Sequence, residues 1–184
     1  MIEHIKGDVL TSKADVVLHQ VNCKGVMGAG LALQIKKKYP HVFSEYFHLC
    51  SHTPTDSTSL LGKVLFVPIS SSQSIANLFA QDTFASYGVS ICCLTQYEKL
   101  RECLREVNNV YKGKTVALPY KLGCGLAGGD WNKVKKIIEE ELTDCKVEIW
   151  EKWLRKSFKK NLKISKNAYI RKPYVDKDML ESYN

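Results

Sequence analysis

The chain has 184 residues, of which 45% are hydrophobic and 25% charged, and a formal net charge of +8. This composition is ordinary for a soluble globular fold, and the length fits one domain that buries a full core without disulfides. No run of about 18 apolar residues is present, so the sequence predicts no transmembrane helix. Residues 151–184 hold ten basic and four acidic side chains, a net +6, which leaves +2 for residues 1–150. The basic pI of about 9.1 is therefore no indication that the main domain binds nucleic acid.

The seven cysteines are scattered, with neither a CxxC pair nor the spacing of a zinc site. An odd number of dispersed cysteines favours reduced thiols, and the first residues lack the hydrophobic region of a secretory signal. We therefore predict a cytoplasmic protein without a metal ion or another cofactor.

The first eighty residues predict four strands and one helix. The β-branched run 15–21 is typical of a buried strand, and residues 28–39 have the four-residue apolar repeat of a helix that ends before Pro40. The predicted elements are a strand over 2–6, a strand over 15–21, a helix over 28–39, a loop over 52–59, and strands over 63–69 and 74–80. The last two strands flank a serine-rich turn, so we expect them to pair with each other.

The second half of the chain continues the alternation of strands and helices. Thr95 and Glu98 have the spacing of a capping box, which predicts a helix that begins near Thr95. Strands are predicted over 115–119 and 146–150, and a helix that begins after Asp130 lies between them. This alternation predicts an α/β domain with a largely parallel sheet and helices on both faces.

Residues 153–184 form a basic tail outside this pattern. Leu154, Phe158 and Leu162 recur every four residues among five Lys and Arg side chains, as on a basic amphipathic helix. Such a helix either docks its apolar stripe on the domain or contacts a polyanion or a membrane surface. The predicted organisation is a domain over 1–152 and a basic, helical tail over 153–184.

Two glycine-rich segments each lie between a predicted strand and a predicted helix: GVMGAG at 25–30 and GCGLAGG at 123–129. Glycine lets the backbone approach a ligand, and a helix N-terminus offers free N–H groups with a partial positive charge. In a parallel sheet both segments lie at the carboxyl ends of strands, so we expect them to clamp one diphosphate from two sides. The order of motifs excludes a dinucleotide-binding Rossmann fold, because GxGxxG lies in the second segment and too little chain follows it.

In this order the motifs resemble those of the macrodomains, ADP-ribose-binding modules with a three-layer α/β/α fold around a mixed, largely parallel sheet. The resemblance covers about residues 1–150. Its motifs are Gly7-Asp8-Val9, Asn22, GVMGAGLA at 25–32 and LGCGLAGGDW at 122–131. We therefore expect a monomer that binds ADP-ribose, ADP-ribose 1″-phosphate or an ADP-ribosylated macromolecule, without contact to a membrane.

The resemblance implies a role for each motif along the ligand. Asp8 would accept a hydrogen bond from the adenine amine, Val9 would donate its backbone N–H beside it, and Asn22 would bind the distal ribose. Without the motif order, an Asp after a strand indicates only a turn. Phe79 or Phe84 would stack near adenine. The residues implied to face the diphosphate are Gly28, Ala29, Gly30 and Leu31 in the first segment and Gly123, Cys124, Gly125, Leu126 and Ala127 in the second.

The residues around Asn22 leave the reaction open. A His before the Asn-Cys pair, here His19, resembles the fungal-type ADP-ribose 1″-phosphate phosphatases, in which it would act as a general base or stabilise charge. The alternative is that His19 is a buried strand histidine. The glycohydrolase branch that acts on DNA and glutamate uses a Lys and, in some members, an Asp, and the corresponding positions here are Gln81 and Ala127. Gln cannot form a Schiff base, which disfavours that chemistry.

Two further mechanisms are disfavoured. Only Asn22 stands where the mono-ADP-ribosyl hydrolases carry a run of asparagines. A nucleophilic Cys124 would need a base or cation partner that the sequence does not supply, so a small packing residue is the favoured interpretation. Three functions remain: hydrolysis of ADP-ribose 1″-phosphate with Asn22 and His19 at the reacting end, which we favour, a non-catalytic reader of ADP-ribose, and an ADP-ribosyl glycohydrolase.

Overall fold

The computed structural model describes residues 1–53, 57–84 and 93–152, which contain six strands and four α-helices. The strands are β1 (Ile2–Lys6), β2 (Val16–Asn22), β3 (Val64–Pro68), β4 (Ser74–Gln81), β5 (Thr115–Pro119) and β6 (Lys146–Glu151). The helices are α1 (Gly30–Lys38), α2 (Pro40–His52), α3 (Tyr97–Val110) and α4 (Trp131–Glu141), and 3-10 turns lie at Val9–Thr11 and Ser57–Leu60. Within these ranges no helix has the length and apolarity needed to cross a membrane. The predicted basic tail lies outside the described residues.

The six strands form one mixed sheet in the order β1-β6-β5-β2-β4-β3. Only β3 and β4 are antiparallel, and the other four pairs are parallel. The predicted largely parallel sheet and the predicted pairing of β3 with β4 are therefore confirmed. Five strands end at the same edge of the sheet, which brings the segments that follow β1, β2, β4 and β5 to one side of the molecule.

The pairing of β2 differs between its two neighbours. It pairs with β4 from Val16 to Asn22, but with β5 only at Val16 and Val17. The two central strands therefore separate toward their carboxyl ends. This separation leaves an opening between the segments that follow β2 and β5, and these are the two glycine-rich segments.

Helices cover both faces of the sheet, which confirms the predicted three-layer α/β/α fold. On one face, buried side chains of α3 and α4 pack on Leu18, as Leu104 and Ile138 illustrate. On the other face, Ile35 of α1 packs on Val17. Burying one such side chain fully stabilises the fold by roughly 1.5–3 kcal/mol. Alternate residues of β2 thus enter different layers, as the pleat of a strand requires.

Helix α2 is the largest difference from the prediction. Pro40 does not end the helical region but occupies the first turn of α2, where its missing N–H leaves no hydrogen bond unmade. Val42 and Tyr46 are four residues apart and fully buried, so they form the inward stripe of this helix. No element is predicted over 41–51 from the sequence, although this four-residue repeat is visible there.

The prediction of a capping box at the start of α3 is also wrong. The N-cap is Gln96, and no side chain caps the helix. The hydroxyl of Thr95 instead donates to the carbonyl of Gly123 at 2.7 Å, and Thr95 is buried. A tertiary hydrogen bond has replaced the local one, and it joins the start of α3 to the second glycine-rich segment.

Candidate functional site

The first glycine-rich segment is shaped by the side chain at the end of β2. The Oδ1 atom of Asn22 accepts from the backbone N–H groups of Lys24 at 2.9 Å and Val26 at 3.3 Å, and its Nδ2 donates to the carbonyl of Val26 at 2.7 Å. The hydroxyl of Tyr46 donates to the backbone carbonyl of Asn22 at 2.7 Å. Asn22 is 5% exposed, and its amide has a second N–H that Val26 does not use. The loop is therefore held in place by the residue predicted to bind the distal ribose.

Helix α1 begins in this segment with open N–H groups. Its N-cap is Ala29, and no side chain caps the first turn. Gly30 has φ +59°, in the left-handed region that favours glycine, and a methyl group added there would meet nothing within 4 Å. An uncapped helix N-terminus beside open space attracts an anion through its N–H groups and partial positive charge.

The second glycine-rich segment forms a compact loop with its own internal bonds. Gly129 donates its N–H to the carbonyl of Gly123 at 3.0 Å, and Leu94 donates to the carbonyl of Ala127 at 2.7 Å. Within the described residues, the N–H groups of Gly125, Leu126 and Ala127 make no hydrogen bond, and Leu126 is 73% exposed. Three successive open N–H groups suit an anion.

Helix α4 does not add a second helix N-terminus to this site. As predicted, Asp130 is its N-cap, and the Asp130 Oδ1 atom accepts from the N–H of Asn132 at 2.8 Å. The carboxylate thus occupies the place that an anion would take. On this side the loop itself, rather than the helix, presents N–H groups to a ligand.

A polar cluster that was not predicted from the sequence lies beneath the opening. The Nε2 atom of Gln20 donates to Oε1 of Gln81 at 2.8 Å and to the hydroxyl of Thr95 at 3.0 Å. Thr95 in turn donates to Gly123, where an added Cβ would collide with Gln20. Gln81 pairs with Asn22 in the β2–β4 register, so the position compared with a catalytic Lys lies beside the strand end that carries Asn22. A glutamine in the mostly buried strand β2 was the available signal.

Asp8 lies after β1 and caps the 3-10 turn that follows it. Its Oδ1 atom accepts from the N–H of Leu10 at 3.1 Å, and its Oδ2 accepts from Nζ of Lys152 at 2.6 Å. Partial burial opposes ionisation of Asp8, but the hydrogen bonds from Lys152 and Leu10 outweigh it and lower the pKa. Asp8 is therefore an ionised acceptor, as recognition of an amine requires. Val9 beside it is buried.

His19 lies inside the fold rather than in the opening. It is 2% exposed, and its Nε2 lies 2.7 Å from Oδ1 of Asn77. Since Nδ2 of Asn77 donates to the carbonyl of Leu65, the Oδ1 atom accepts, and Nε2 of His19 carries the proton. Burial lowers the pKa of His19 to about 4, so the ring is neutral near pH 7. The structure does not bring His19 together with Asn22, which lies three residues on, about 10 Å along a strand.

Burial decides what two other predicted site residues, Phe79 and Cys124, can do. Phe79 is fully buried and stacks on Tyr46 with ring centroids 5.8 Å apart, so its ring is occupied within the core. Phe84, the other candidate predicted to stack near adenine, is exposed. Cys124 donates its thiol to the carbonyl of Leu122 at 3.1 Å, and burial and the charge of Asp130 raise the pKa of Cys124 to about 11. A protonated thiol is a poor nucleophile.

A second pair of charged residues lies beside the first segment. Asp82 follows β4, and its backbone carbonyl accepts from the N–H of Cys23 at 3.0 Å. Its carboxylate forms an ion pair with Nζ of Lys24 at 3.0 Å, and both side chains are partly exposed. Only the register of β2 with β4 shows that they flank the residue predicted to hold the distal ribose.

Comparisons with known proteins agree with this geometry. The family model described as Macro domain matches residues 18–138, more than half of the chain. An ADP-ribose 1″-phosphate phosphatase of Debaryomyces hansenii is 29% identical over 168 residues, covering 76% of this chain and 93% of that protein. A DNA ADP-ribosyl glycohydrolase of Mycobacterium tuberculosis is 30% identical over 139 residues, covering 74% of this chain but 37% of that protein.

A solved structure gives the same result for the fold. A protein of unknown function from Bacteroides thetaiotaomicron is 29% identical and superposes with a TM-score of 0.71, covering 82% of this chain and 98% of the other. The matched residues include Asn22 at the end of β2, both glycine-rich segments, β4 and β5. The chain belongs to the macrodomain family.

Proposed function

We propose that this macrodomain binds ADP-ribose in the opening between β2 and β5 and hydrolyses ADP-ribose 1″-phosphate to ADP-ribose and phosphate. The observation that carries the proposal is the pair of open N–H arrays at the ends of two diverging strands, the α1 N-terminus and residues 125–127. The phosphatase of Debaryomyces hansenii supports the reaction, since the similarity extends over 93% of that protein.

The ligand is oriented by the order of the segments along the sheet edge. Adenine lies at Asp8, which accepts from its amine, and the diphosphate lies between the two glycine-rich segments. The distal ribose then reaches Asn22, whose second Nδ2 hydrogen donates to a ribose hydroxyl. Uncharged N–H donors bind the diphosphate here, so the nearly neutral domain needs no cluster of Lys and Arg at this position.

The terminal phosphate of this ligand falls beside the Lys24–Asp82 pair. We infer that Asp82 accepts a proton from a water molecule whose oxygen attacks phosphorus, while Lys24 neutralises charge on the phosphate oxygens. The bond between phosphorus and the C1″ oxygen breaks, and that oxygen takes up a proton to give the ribose hydroxyl. His19 is assigned no direct role in this scheme, because its buried ring cannot reach the water.

The experiment measures ligand binding and phosphate release separately. Wild type should bind ADP-ribose in calorimetry and release phosphate from ADP-ribose 1″-phosphate. Asp82→Asn should lower kcat by about 10²-fold, the typical contribution of a general base, and keep the ADP-ribose Kd within about threefold. His41→Gln, on an exposed helix position, is the matched control and should change neither. If Asp82→Asn retains full activity, Asp82 is not the base.

The alternative is a non-catalytic reader of ADP-ribose or of ADP-ribosylated partners. It is favoured by the few side chains left for chemistry, since Asn22 mainly bonds its own loop and His19 is buried. Wild type that binds ADP-ribose tightly but releases no phosphate would establish it. An ADP-ribosyl glycohydrolase, as the Mycobacterium tuberculosis relative is named, is less favoured because Gln81 is hydrogen-bonded to Gln20 and cannot form a Schiff base.

A further inference from the structure

The hydroxyl of Tyr46, in α2, contacts both the backbone and the side chain of Asn22 at the end of β2. Tyr46 is fully buried, and its ring stacks on Phe79. The hydroxyl lies 2.7 Å from the backbone carbonyl oxygen of Asn22 and 2.9 Å from Oδ1 of the same residue. Burial raises the pKa of Tyr46, so the hydroxyl keeps its proton and donates. One buried group thus holds two parts of Asn22.

The hydrogen bonds around the Asn22 amide allow one orientation. Oδ1 accepts from the backbone N–H groups of Lys24 and Val26 as well as from Tyr46. Backbone N–H groups can only donate, so a flipped amide would turn its Nδ2 toward two donors. Nδ2 therefore lies on the side of the Val26 carbonyl, which takes one of its two hydrogens. The direction of the other hydrogen depends on the groups that hold Oδ1.

The sheet is irregular where Asn22 leaves it. Val21 pairs with Phe79, but Asn22 pairs with Gln81, so β4 has one extra residue at this point. Such a bulge bends the chain and changes the direction of nearby side chains. The pairing of β2 with β5 has already ended. Tyr46 therefore holds Asn22 at a point where the strand pairing alone defines its position poorly.

We propose that Tyr46 is the positioning residue for Asn22 and thereby sets the preference of the site for a diphosphate that carries a distal ribose. The inference rests on the proposed function, in which Asn22 donates to a hydroxyl of that ribose. Tyr46 is buried and touches no ligand, and its hydroxyl keeps the Nδ2 donor of Asn22 aimed at the ribose. The diphosphate is bound by the two N–H arrays instead. Losing the hydroxyl should therefore weaken only a ligand that has the distal ribose.

The test compares two ligands on the full chain by calorimetry: ADP-ribose, and ADP, which has the diphosphate without the distal ribose. Tyr46→Phe keeps the ring on Phe79 and removes only the hydroxyl. It should bind ADP-ribose about fivefold more weakly and ADP within about twofold of wild type, the loss of one hydrogen bond between uncharged groups. A lower melting temperature is expected for any lost buried hydrogen bond, so the ratio of the two Kd values is the deciding measurement.

Tyr111→Phe is the matched control. Tyr111 follows the last residue of α3, at the opposite end of that helix from the second glycine-rich segment, and its ring packs on Phe66 with centroids 5.5 Å apart. Because distant sites act independently, this variant should keep both Kd values within about twofold of wild type.

A double-mutant cycle tests whether Tyr46 acts through Asn22. In an Asn22→Ala background the amide is gone, so adding Tyr46→Phe should change the ratio of the two Kd values by less than about twofold. If Asn22→Ala does not fold, the ratio in Tyr46→Phe alone decides.

Two results overturn the inference alone: a ratio that Tyr46→Phe leaves unchanged, and a ratio that shifts again when Tyr46→Phe is added to Asn22→Ala. A hydroxyl that only shapes the loop would give the first result, because the α1 N-terminus contributes N–H groups to both ligands. Wild type that binds neither ligand overturns the proposed function, and this inference with it.

Discussion

At the scale of single residues, His19 makes the fold sensitive to acid. Its pKa is about 4 in the folded chain, against about 6.5 in an unfolded one, because burial disfavours the imidazolium. The unfolded chain therefore binds more protons between these values, so the free energy of unfolding falls as pH decreases from 6.5 to 4. The expected loss from this group is about 3 kcal/mol at pH 4.

Urea unfolding of wild type and His19→Gln at pH 7 and pH 4.5 measures this loss. Gln retains an N–H donor for Asn77 and does not titrate, so the variant should lose about 2 kcal/mol less than wild type over this interval. His41→Gln, whose ring is exposed, should follow wild type. Equal pH dependence in His19→Gln and wild type would show that another group is responsible.

The residue types predicted local backbone roles well, but they predicted poorly which way a side chain faces in the fold. Asp130 was identified as an N-cap because that role depends on neighbours within one turn. The orientation of His19 depends on which face of β2 meets which helices, and sequence gives no register for that. The predicted capping role of Thr95 was wrong for the same reason, since its hydrogen-bond partner Gly123 is distant along the chain. Lys24, Asp82 and Lys152 acquire their neighbours only through the sheet.

At the scale of elements, the second glycine-rich segment contains one glycine that we expect to matter for ligand binding, Gly125, and one that we expect to matter for folding, Gly123. Gly125 is not in the left-handed region, and a methyl group there would meet nothing within 4 Å. Gly125→Val should therefore leave the melting temperature within about 2 °C, well under the shift of a buried substitution, and weaken ADP-ribose at least about tenfold by filling the ligand's space.

Gly123→Ala is the contrasting variant in the same loop. Gly123 has φ +68°, and its added Cβ would collide with Gln20, so this change should cost about 1–3 kcal/mol of stability. Thermal melts and calorimetry on both variants distinguish the two positions. Undiminished ADP-ribose binding by Gly125→Val would place the ligand elsewhere.

The elements themselves were largely predictable. Every predicted strand is present with bounds within a residue or two, because strands in a parallel sheet are short β-branched or apolar runs between turns. Helix α2 was missed because Pro40 was taken only as a stop signal, although proline also begins helices. The unequal pairing of β2, which creates the opening, could not be read from any single segment.

At the scale of the whole molecule, we expect the basic tail, which carries most of the net charge, to be dispensable for ligand binding. The site residues described here all lie before residue 153, and residues 1–150 carry a net +2. A chain that ends at residue 154 should therefore bind ADP-ribose within about threefold of the full chain, since uncharged N–H donors carry the diphosphate. A loss greater than tenfold would mean that the basic tail contributes to the site.

The hydrogen bonds around Asn22 have a consequence for the thermodynamics of binding. The loop after β2 is already fixed by Asn22 and by Tyr46 of α2, before any nucleotide arrives. Ordering a flexible loop on binding typically costs about 0.5–1.5 kcal/mol per immobilised side chain. Much of that cost was met here when the chain folded. The affinity for the ligand therefore depends in part on the buried face of α2, whose residues do not contact the nucleotide.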